Sequence, residues 1–130
     1  MSAAGIIRDG AEMVRRMQPE RVPGRYVFRS LSAADLAARL AEIRGFFVEA
    51  EGPSAILPAE DAEPDAMAQI TLRVHSALDG VGLTAAVSGA LARAGIPCNM
   101  VAATHHDHLF VPEDRAEAAL AVLKALAAET

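Results

Sequence analysis

The chain has 130 residues, enough for one ordinary domain or two very small ones that share a core. Hydrophobic residues make up 52% and charged residues 22%, which argues against disorder over most of the length. With a formal net charge of −5, no dense Lys/Arg run and only 4% aromatic residues, the chain lacks the basic, stacking surface of a nucleic-acid-binding protein.

The cysteine content and the hydropathy pattern indicate the compartment. The single Cys98 excludes an internal disulfide and fits a reducing environment. No apolar run approaches the roughly 20 residues that a membrane-spanning helix needs. The first ten residues also lack the basic start and continuous apolar core of a secretory signal. We therefore expect a soluble cytoplasmic protein with no membrane partner.

The first half of the chain alternates between helical and strand patterns. Pro23-Gly24 indicates a turn between residues 21 and 25. Ser32 suits the N-cap of the next helix, and Gly45 suits its end. The predicted elements are a helix at 10–17, a strand at 26–31, a helix at 33–44, strands at 46–50 and 55–57, and a helical turn at 58–66 that begins at Pro58.

The second half repeats this order. Gly95, with Pro97 just beyond it, is a strong signal for the end of a helix. The predicted elements are a strand at 70–74, a helix at 83–94, strands at 99–103 and 109–111, and a last helix from Pro112 with an apolar stripe.

A short internal match supports a duplication. Residues 55–63 and 109–117 both read as an apolar triplet, a proline, an acidic first turn and Ala-Glu at the same offset. Coincidence is the alternative, because many strand-to-helix junctions attract proline and acidic residues. The matching element order favours two βαββα units, residues 1–66 and 67–130, in an α+β, ferredoxin-like fold. Neither half has its own last strand, so we expect shared or exchanged edge strands, with help from residues 5–8.

Five short motifs occur in an order and spacing that resemble a known family. They are Met17-Gln18-Pro19, Gly24-Arg25-Tyr26-Val27-Phe28, Glu49-Ala50-Glu51-Gly52, Val74-His75-Ser76 with Val81-Gly82-Leu83-Thr84, and the run from His106 to Pro112. Together they resemble a small bacterial tandem ACT-domain family over residues 13–126. The resemblance implies two tandem ACT-type units, a homodimer, and binding of an amino acid or similar metabolite. We therefore expect a non-enzymatic regulatory protein with no cofactor.

The loop that precedes the helix at 83–94 is the best candidate for a ligand site. Its two glycines let a ligand approach the backbone closely, and N–H groups at the start of a helix suit a carboxylate. An ordinary connection with a serine or threonine helix cap is the alternative. The residues expected to contact the ligand are His75, Ser76, Asp79, Gly80, Val81, Gly82, Leu83 and Thr84.

Neighbouring strands are expected to complete this site. The partner for the ammonium group of an amino acid would come from Glu49 and Glu51, or from the strand that begins at Asn99. The two glutamates lie two residues apart, hence on one face of a strand. Their alternative is a solvated turn, and for Asn99 it is a local turn bond.

The run from Thr104 to His108 holds three of the four histidines. His105, Asp107 and His108 offer nitrogen and oxygen ligands to a metal. Successive strand side chains point to opposite faces, however, so a polar turn stabilised by Asp107 is the simpler interpretation. His106 and His108 are candidates for ligand contact, and we predict no metal site.

Three hypotheses about function follow. The first is a sensor of a small metabolite, for which we expect an amino acid. The second is a structural or dimerisation protein with a vestigial ACT site. The third is a metal-binding protein that uses the histidine-rich turn. Catalysis is not expected, because the lone Cys98 beside Ile96 reads as a small buried hydrophobe rather than a nucleophile.

Overall fold

The computed structural model describes residues 5–130. Its elements in chain order are α1 (Gly10–Arg15), β1 (Pro19–Ser30), α2 (Ala33–Arg39), β2 (Gly45–Glu49), β3 (Gly52–Pro58), β4 (Met67–Leu72), α3 (Leu83–Arg93), β5 (Asn99–Ala102), β6 (Asp107–Pro112), a 3-10 turn (Glu113–Arg115) and α4 (Ala116–Glu129). The predicted α+β class is confirmed, and most predicted helices and strands are present within a few residues of their expected bounds.

The chain folds into two compact units. The minor unit is Gly24–Met67, and the major unit contains residues 5–23 together with 68–130. Strand β1 is used by both, because its residues 19–23 belong to the major unit and the remainder to the minor unit. The boundaries at 1–66 and 67–130 stay a prediction about repeated sequence units, since the compact units group residues 5–23 with the second half of the chain.

The minor unit is an antiparallel sheet with one helix. Its strands lie in the order β2-β3-β1, with Phe46 opposite Ala55 and Val27 opposite Leu57. The predicted N-cap is confirmed, because the Ser32 hydroxyl accepts a hydrogen bond from the Asp35 N–H at 3.1 Å. A small core holds the unit together and consists of Val27, Ala55, Leu57 and Ala66, with Leu31, Leu36, Ile43 and Ala59 packed against them.

Three predictions for this part of the chain are wrong. The expected turn at 21–25 is part of β1, where Gly24 adopts φ +109° and distorts the strand without ending it. Helix α2 ends at Arg39, several residues before Gly45, which begins β2. The helical turn at 58–66 does not form because Pro64 interrupts it, since a proline disfavours helical conformation in the preceding residue. Instead, the Arg25 guanidinium holds this segment by hydrogen bonds to three of its carbonyls.

The major unit has a second, larger core. Its strands lie in the order β1-β4-β6-β5, and α1, α3 and α4 pack against one another. The core draws on all three helices and on alternate residues of β4 and β6; its fully buried members include Met13, Met17, Ile70, Leu72, Val87, Leu91, Leu109, Val111 and Leu123. Burial of one such aliphatic side chain contributes roughly 1.5–3 kcal/mol, so this core dominates the stability of the unit.

Helix α3 ends as its sequence predicts. Gly95 has φ +72°, its N–H donates to the Ala92 carbonyl at 3.0 Å, and the Ile96 N–H donates to the Leu91 carbonyl at 2.9 Å. These two bonds form a Schellman motif and satisfy carbonyls that the helix end would otherwise leave unpaired. The chain therefore turns sharply and enters β5, whose partner β6 begins beside the loop that precedes α3.

Candidate ligand site

The loop between β4 and α3, residues 73–82, is fixed by backbone hydrogen bonds. The Ile7 N–H donates to the His75 carbonyl and the Ala77 N–H donates to the Ile7 carbonyl, both at 2.9 Å. Ile7 and Ser76 thus form a one-residue parallel bridge. Residues 5–8 were expected to help complete a sheet, and this bridge is what they contribute. A further bond from the Gly80 N–H to the Ala77 carbonyl closes a tight turn.

A buried hydrogen bond joins this loop to β6. The Ser76 hydroxyl donates to a carboxylate oxygen of Asp107 at 2.8 Å, and the two residues are only 9% and 8% exposed. A carboxylate is costly to bury unless its charge is compensated by hydrogen bonds or a cation. Asp107 therefore places a negative charge, with capacity for further hydrogen bonds, beside the start of α3.

The start of α3 has no side-chain cap. Its N-cap is Gly82 at φ +115°, a conformation that favours glycine, and no side chain accepts a hydrogen bond from the first turn. Neither alternative cap is used: Thr84 is exposed within the first turn, and Ser76 donates to the Asp107 carboxylate. The first turn also contains no acidic residue. Its N–H groups and the positive end of the helix macrodipole are available to an anion.

These features meet at one small cavity of about 120 Å³. It lies between the loop, the first turn of α3 and the facing ends of β5 and β6; its lining residues are Met13, Ser76, Ala77, Leu78, Gly80, Gly82, Leu83, Thr84, Ala102 and Asp107. Five of the predicted ligand contacts are in this set, namely Ser76, Gly80, Gly82, Leu83 and Thr84. Uncapped N–H groups and a buried carboxylate in one cavity can hold a molecule that carries both a negative and a positive group.

The other predicted residues of the loop lie outside this lining. Asp79 is exposed and pairs with Arg8 at 3.2 Å. Val81 is 81% exposed. His75 is half-buried and lines a different, larger cleft. The side chains of the loop therefore lie in three environments: the small cavity, the solvent and the second cleft.

The histidines that follow β5 also lie outside the cavity. His108 is placed beside the buried polar residues of β4, with its Nδ1 2.9 Å from the Thr71 hydroxyl and 3.4 Å from the Gln69 amide. His106 contacts the Val74 carbonyl at 3.5 Å and lines the larger cleft. Strand alternation explains the separation, because Asp107 shares a face with Leu109 whereas His108 points to the opposite face.

Three further candidates are not among the lining residues of this cavity. Asn99 is exposed at the end of β5 remote from Ala102, the residue of this strand that lines the cavity. Glu49 and Glu51 belong to the minor unit and are exposed beside the β2–β3 turn, where Glu49 accepts a hydrogen bond from the Ser54 hydroxyl. Their contact with a ligand stays a prediction.

The metal and nucleophile interpretations gain no support. Within residues 5–130, no three His, Cys, Asp or Glu side chains are grouped so as to hold a metal ion. Cys98 is half-buried against the major core, and burial raises the pKa of its thiol. A thiol with a raised pKa forms little thiolate at neutral pH and is a poor nucleophile. In the same part of the chain, no helix is long and apolar enough to cross a membrane.

Comparison with protein-family models gives two matches. The ACT domain matches residues 7–72, about half of the chain, and a second ACT-domain model matches residues 67–125. The chain belongs to the ACT-domain family. ACT domains generally bind amino acids in regulatory proteins, where they are regulatory rather than catalytic, and they often dimerise. The tandem resemblance expected from the five motifs is confirmed.

Solved structures agree with this assignment. A Vibrio cholerae protein of unknown function, described as a possible transport protein, shares 38% sequence identity with this ACT-domain protein, with a TM-score of 0.76 over 88% of this chain and 92% of that one. An Agrobacterium tumefaciens protein shares 19% identity and a TM-score of 0.66 over 84% and 87%. A chain of aspartokinase alpha and beta subunits shares 15% identity and a TM-score of 0.64 over 86% and 97%. The last two show the fold alone. Comparison with curated proteins gives no match.

Proposed function

We propose that this tandem ACT-domain protein is a non-enzymatic sensor that acts in the cytoplasm and binds a small amino acid in the cavity at the start of α3. One observation carries the proposal: uncapped N–H groups at Gly82–Thr84 and the buried carboxylate of Asp107 line the same cavity. The first would receive the α-carboxylate of the ligand and the second its ammonium group. Asp107 thereby takes the role that was expected of Glu49, Glu51 or Asn99.

The size of the cavity favours a ligand with a short side chain. A volume of about 120 Å³ is well below the roughly 300–1,000 Å³ of sites for drug-sized molecules. A longer side chain would have to leave through the mouth of the cavity, where exposed Leu78 offers an apolar surface.

A thermal-shift screen of the common amino acids, followed by calorimetric titration of each stabilising compound, tests the proposal. Binding should require both charged groups of the ligand, so the corresponding amine and the corresponding carboxylic acid should each fail to bind. Folded protein that is stabilised by none of the amino acids would contradict the proposed function.

Two aspartate variants make the test specific to the cavity. Asp107→Asn keeps the shape of the side chain and its hydrogen bond to Ser76 but removes the charge, so affinity should fall roughly 10- to 100-fold, as expected for loss of a charge-assisted hydrogen bond. Asp79→Asn is the matched control, because Asp79 lies in the same loop but is exposed. Its affinity should change by no more than about twofold. Equal losses in the two variants would refute the role of Asp107.

We also propose that the protein is a homodimer that associates through the edge strand β2. This strand pairs only with β3 in the minor unit, and its apolar residues are exposed on both faces: Phe46 by 50%, Phe47 by 73% and Val48 by 69%. An apolar edge strand tends to pair with another chain, and two copies of one edge can pair antiparallel about a two-fold axis.

Light scattering coupled to size-exclusion chromatography tests this association. Phe47→Lys should give a monomer at concentrations at which the natural protein is a dimer. Leu40→Lys is the matched control, because Leu40 is 55% exposed at the end of α2 and not on β2. A monomeric natural protein, or a dimer that survives Phe47→Lys, would contradict the proposed interface. The exposed apolar residues of β2 are also the observation that favours a purely structural role. That role would remain possible if no amino acid bound.

A further inference from the structure

A second cleft of the major unit lies next to the small cavity and has a different chemical character. Its volume is about 560 Å³. Six basic side chains line it, namely Arg15, Arg16, Arg73, His75, His105 and His106. No carboxylate is part of its lining within residues 5–130. Such a concentration of basic side chains is unexpected in a chain whose net charge is −5.

The guanidinium groups are held from outside the cleft. Arg73 is oriented by two hydrogen bonds to the Glu20 carboxylate, at 2.9 and 3.4 Å, and Arg15 by one to Glu12 at 2.8 Å. Each arginine keeps further N–H donors, because a guanidinium carries five. Arg16 pairs with no carboxylate among residues 5–130. The guanidinium charges therefore outnumber the carboxylates that hold them.

Three imidazole rings occupy the same cleft. The ring centroids of His75 and His105 are 5.8 Å apart, and those of His105 and His106 are 6.5 Å apart. The three rings thus follow one another closely enough to contact a single small molecule. Each imidazole can donate at least one hydrogen bond, and its flat face offers an apolar surface beside Ile7 and Val74.

We propose that this cleft binds a small metabolite that carries a phosphate group. Arginine forks match the geometry of phosphate and can engage its oxygens in pairs. A phosphate presents more acceptor oxygens than a single carboxylate, so it uses a wall of three guanidinium groups and three imidazoles more fully. The volume lies within the roughly 300–1,000 Å³ range of small-molecule sites, which leaves room for the organic part of the ligand.

This site is separate from the amino-acid site but uses the same two segments. His75 precedes Ser76, and His106 precedes Asp107, so each residue of the buried Ser76–Asp107 hydrogen bond has a neighbour in the cleft. The phosphate proposal does not depend on amino-acid binding. It would stand if no amino acid bound, and it would fail on its own if no phosphate compound bound.

Calorimetric titration at low ionic strength tests the proposal with inorganic phosphate, pyrophosphate and glycerol 3-phosphate as probes. Citrate and succinate serve as carboxylate probes of comparable size and charge. We expect at least one phosphate compound to bind and its affinity to fall as salt is added. Absence of binding by all three phosphate probes, or binding of the carboxylates alone, overturns the proposal.

Paired arginine variants locate the binding. Arg16→Gln removes an exposed guanidinium that lines the cleft, and affinity for the phosphate probe should fall about tenfold, the effect of one charge-assisted hydrogen bond. Arg93→Gln is the matched control, since Arg93, like Arg16, is an exposed arginine at the C-terminal end of a helix but lies outside the cleft. His105→Gln removes one imidazole from the wall of the cleft and should also weaken binding. Equal affinities of Arg16→Gln and Arg93→Gln for the phosphate probe overturn the assignment to this cleft.

Discussion

The close approach of α1 to the ligand-site loop makes Gly10 sensitive to substitution. A Cβ atom added at Gly10 would lie 2.4 Å from the Val81 carbonyl oxygen and 3.7 Å from the Gly82 Cα. The first of these distances is shorter than any normal contact, and the obstructing atom is backbone. Either the loop or α1 must therefore move by about 0.6 Å or more, which is a case of overpacking.

The expected magnitude follows from two opposing effects. Overpacking of this kind costs roughly 1–3 kcal/mol, whereas replacement of a helical glycine by alanine gains roughly 0.5–1 kcal/mol. Gly10 is the first residue of α1, so its gain lies at the low end. Gly10→Ala should destabilise the protein by about 1–2 kcal/mol, and its Tm should fall by about 3–8 °C for a chain of this size.

Gly89→Ala is the control for helix propensity. A Cβ at Gly89 would meet only the end of the Arg93 side chain, at 3.3 Å, and that flexible group can move away. This variant should raise the free energy of unfolding by up to about 1 kcal/mol, and so raise Tm by a few degrees. Thermal and urea denaturation followed by circular dichroism measure both variants. If Gly10→Ala were as stable as Gly89→Ala, the close packing of α1 against the loop would be refuted.

Three other predictions concern charge, reactivity and packing. The hydrogen bond from Arg73 lowers the pKa of Glu20, so their ion pair stabilises the fold above the ordinary glutamate pKa and is lost as the pH falls through the lowered value. The Tm difference between the natural protein and Glu20→Gln should therefore be present at pH 7 and vanish in acid. A difference that grew in acid would contradict this prediction. Burial raises the pKa of Cys98, so its reaction with a thiol reagent at neutral pH should be slower than that of free cysteine and should reach the free rate in urea; a fast native reaction would contradict the burial. Leu123 is fully buried, and urea denaturation should show that Leu123→Ala costs about 2–5 kcal/mol; a cost below about 1 kcal/mol would place Leu123 outside a well-packed core.

Local signals in the sequence predicted those elements whose cause is local. Gly95 ends α3 because a left-handed residue is needed at that position, and Ser32 begins α2 because its hydroxyl accepts an N–H of the first turn. Apolar residues likewise located β4 and β6, most of whose residues are buried. Each of these helix ends and strands depends on a few neighbouring residues, so the local sequence is sufficient to predict it.

Features that depend on distant partners were not predictable in this way. The Pro23-Gly24 pair normally indicates a turn, yet it lies within β1, where Tyr26 and the residues after it pair with β3. Similarly, the sequence predicts only a short helix at residues 10–17. Only the fold shows that Met13 and Met17 complete the core formed by β4, α3 and α4, and so attach the beginning of the chain to its second half.

The candidate site shows the same division between local and distant causes. The glycines and the start of α3 are evident in the sequence. Because Asp79 lies in the same loop, the sequence favours Asp79 as the acidic residue of the site. Asp107 lies 31 residues beyond Ser76 and was assigned to a polar turn or a metal site. The sequence nevertheless indicates which way the Asp107 side chain points. Alternate residues of a strand share one face, so Asp107 lies on the same face as Leu109 and Val111, both of which face the helices. A carboxylate on the core-facing side of a strand must find a compensating partner, and here the Ser76 hydroxyl provides only part of what a buried charge requires. The remaining capacity of that carboxylate is the physical reason to expect a cationic group in the cavity.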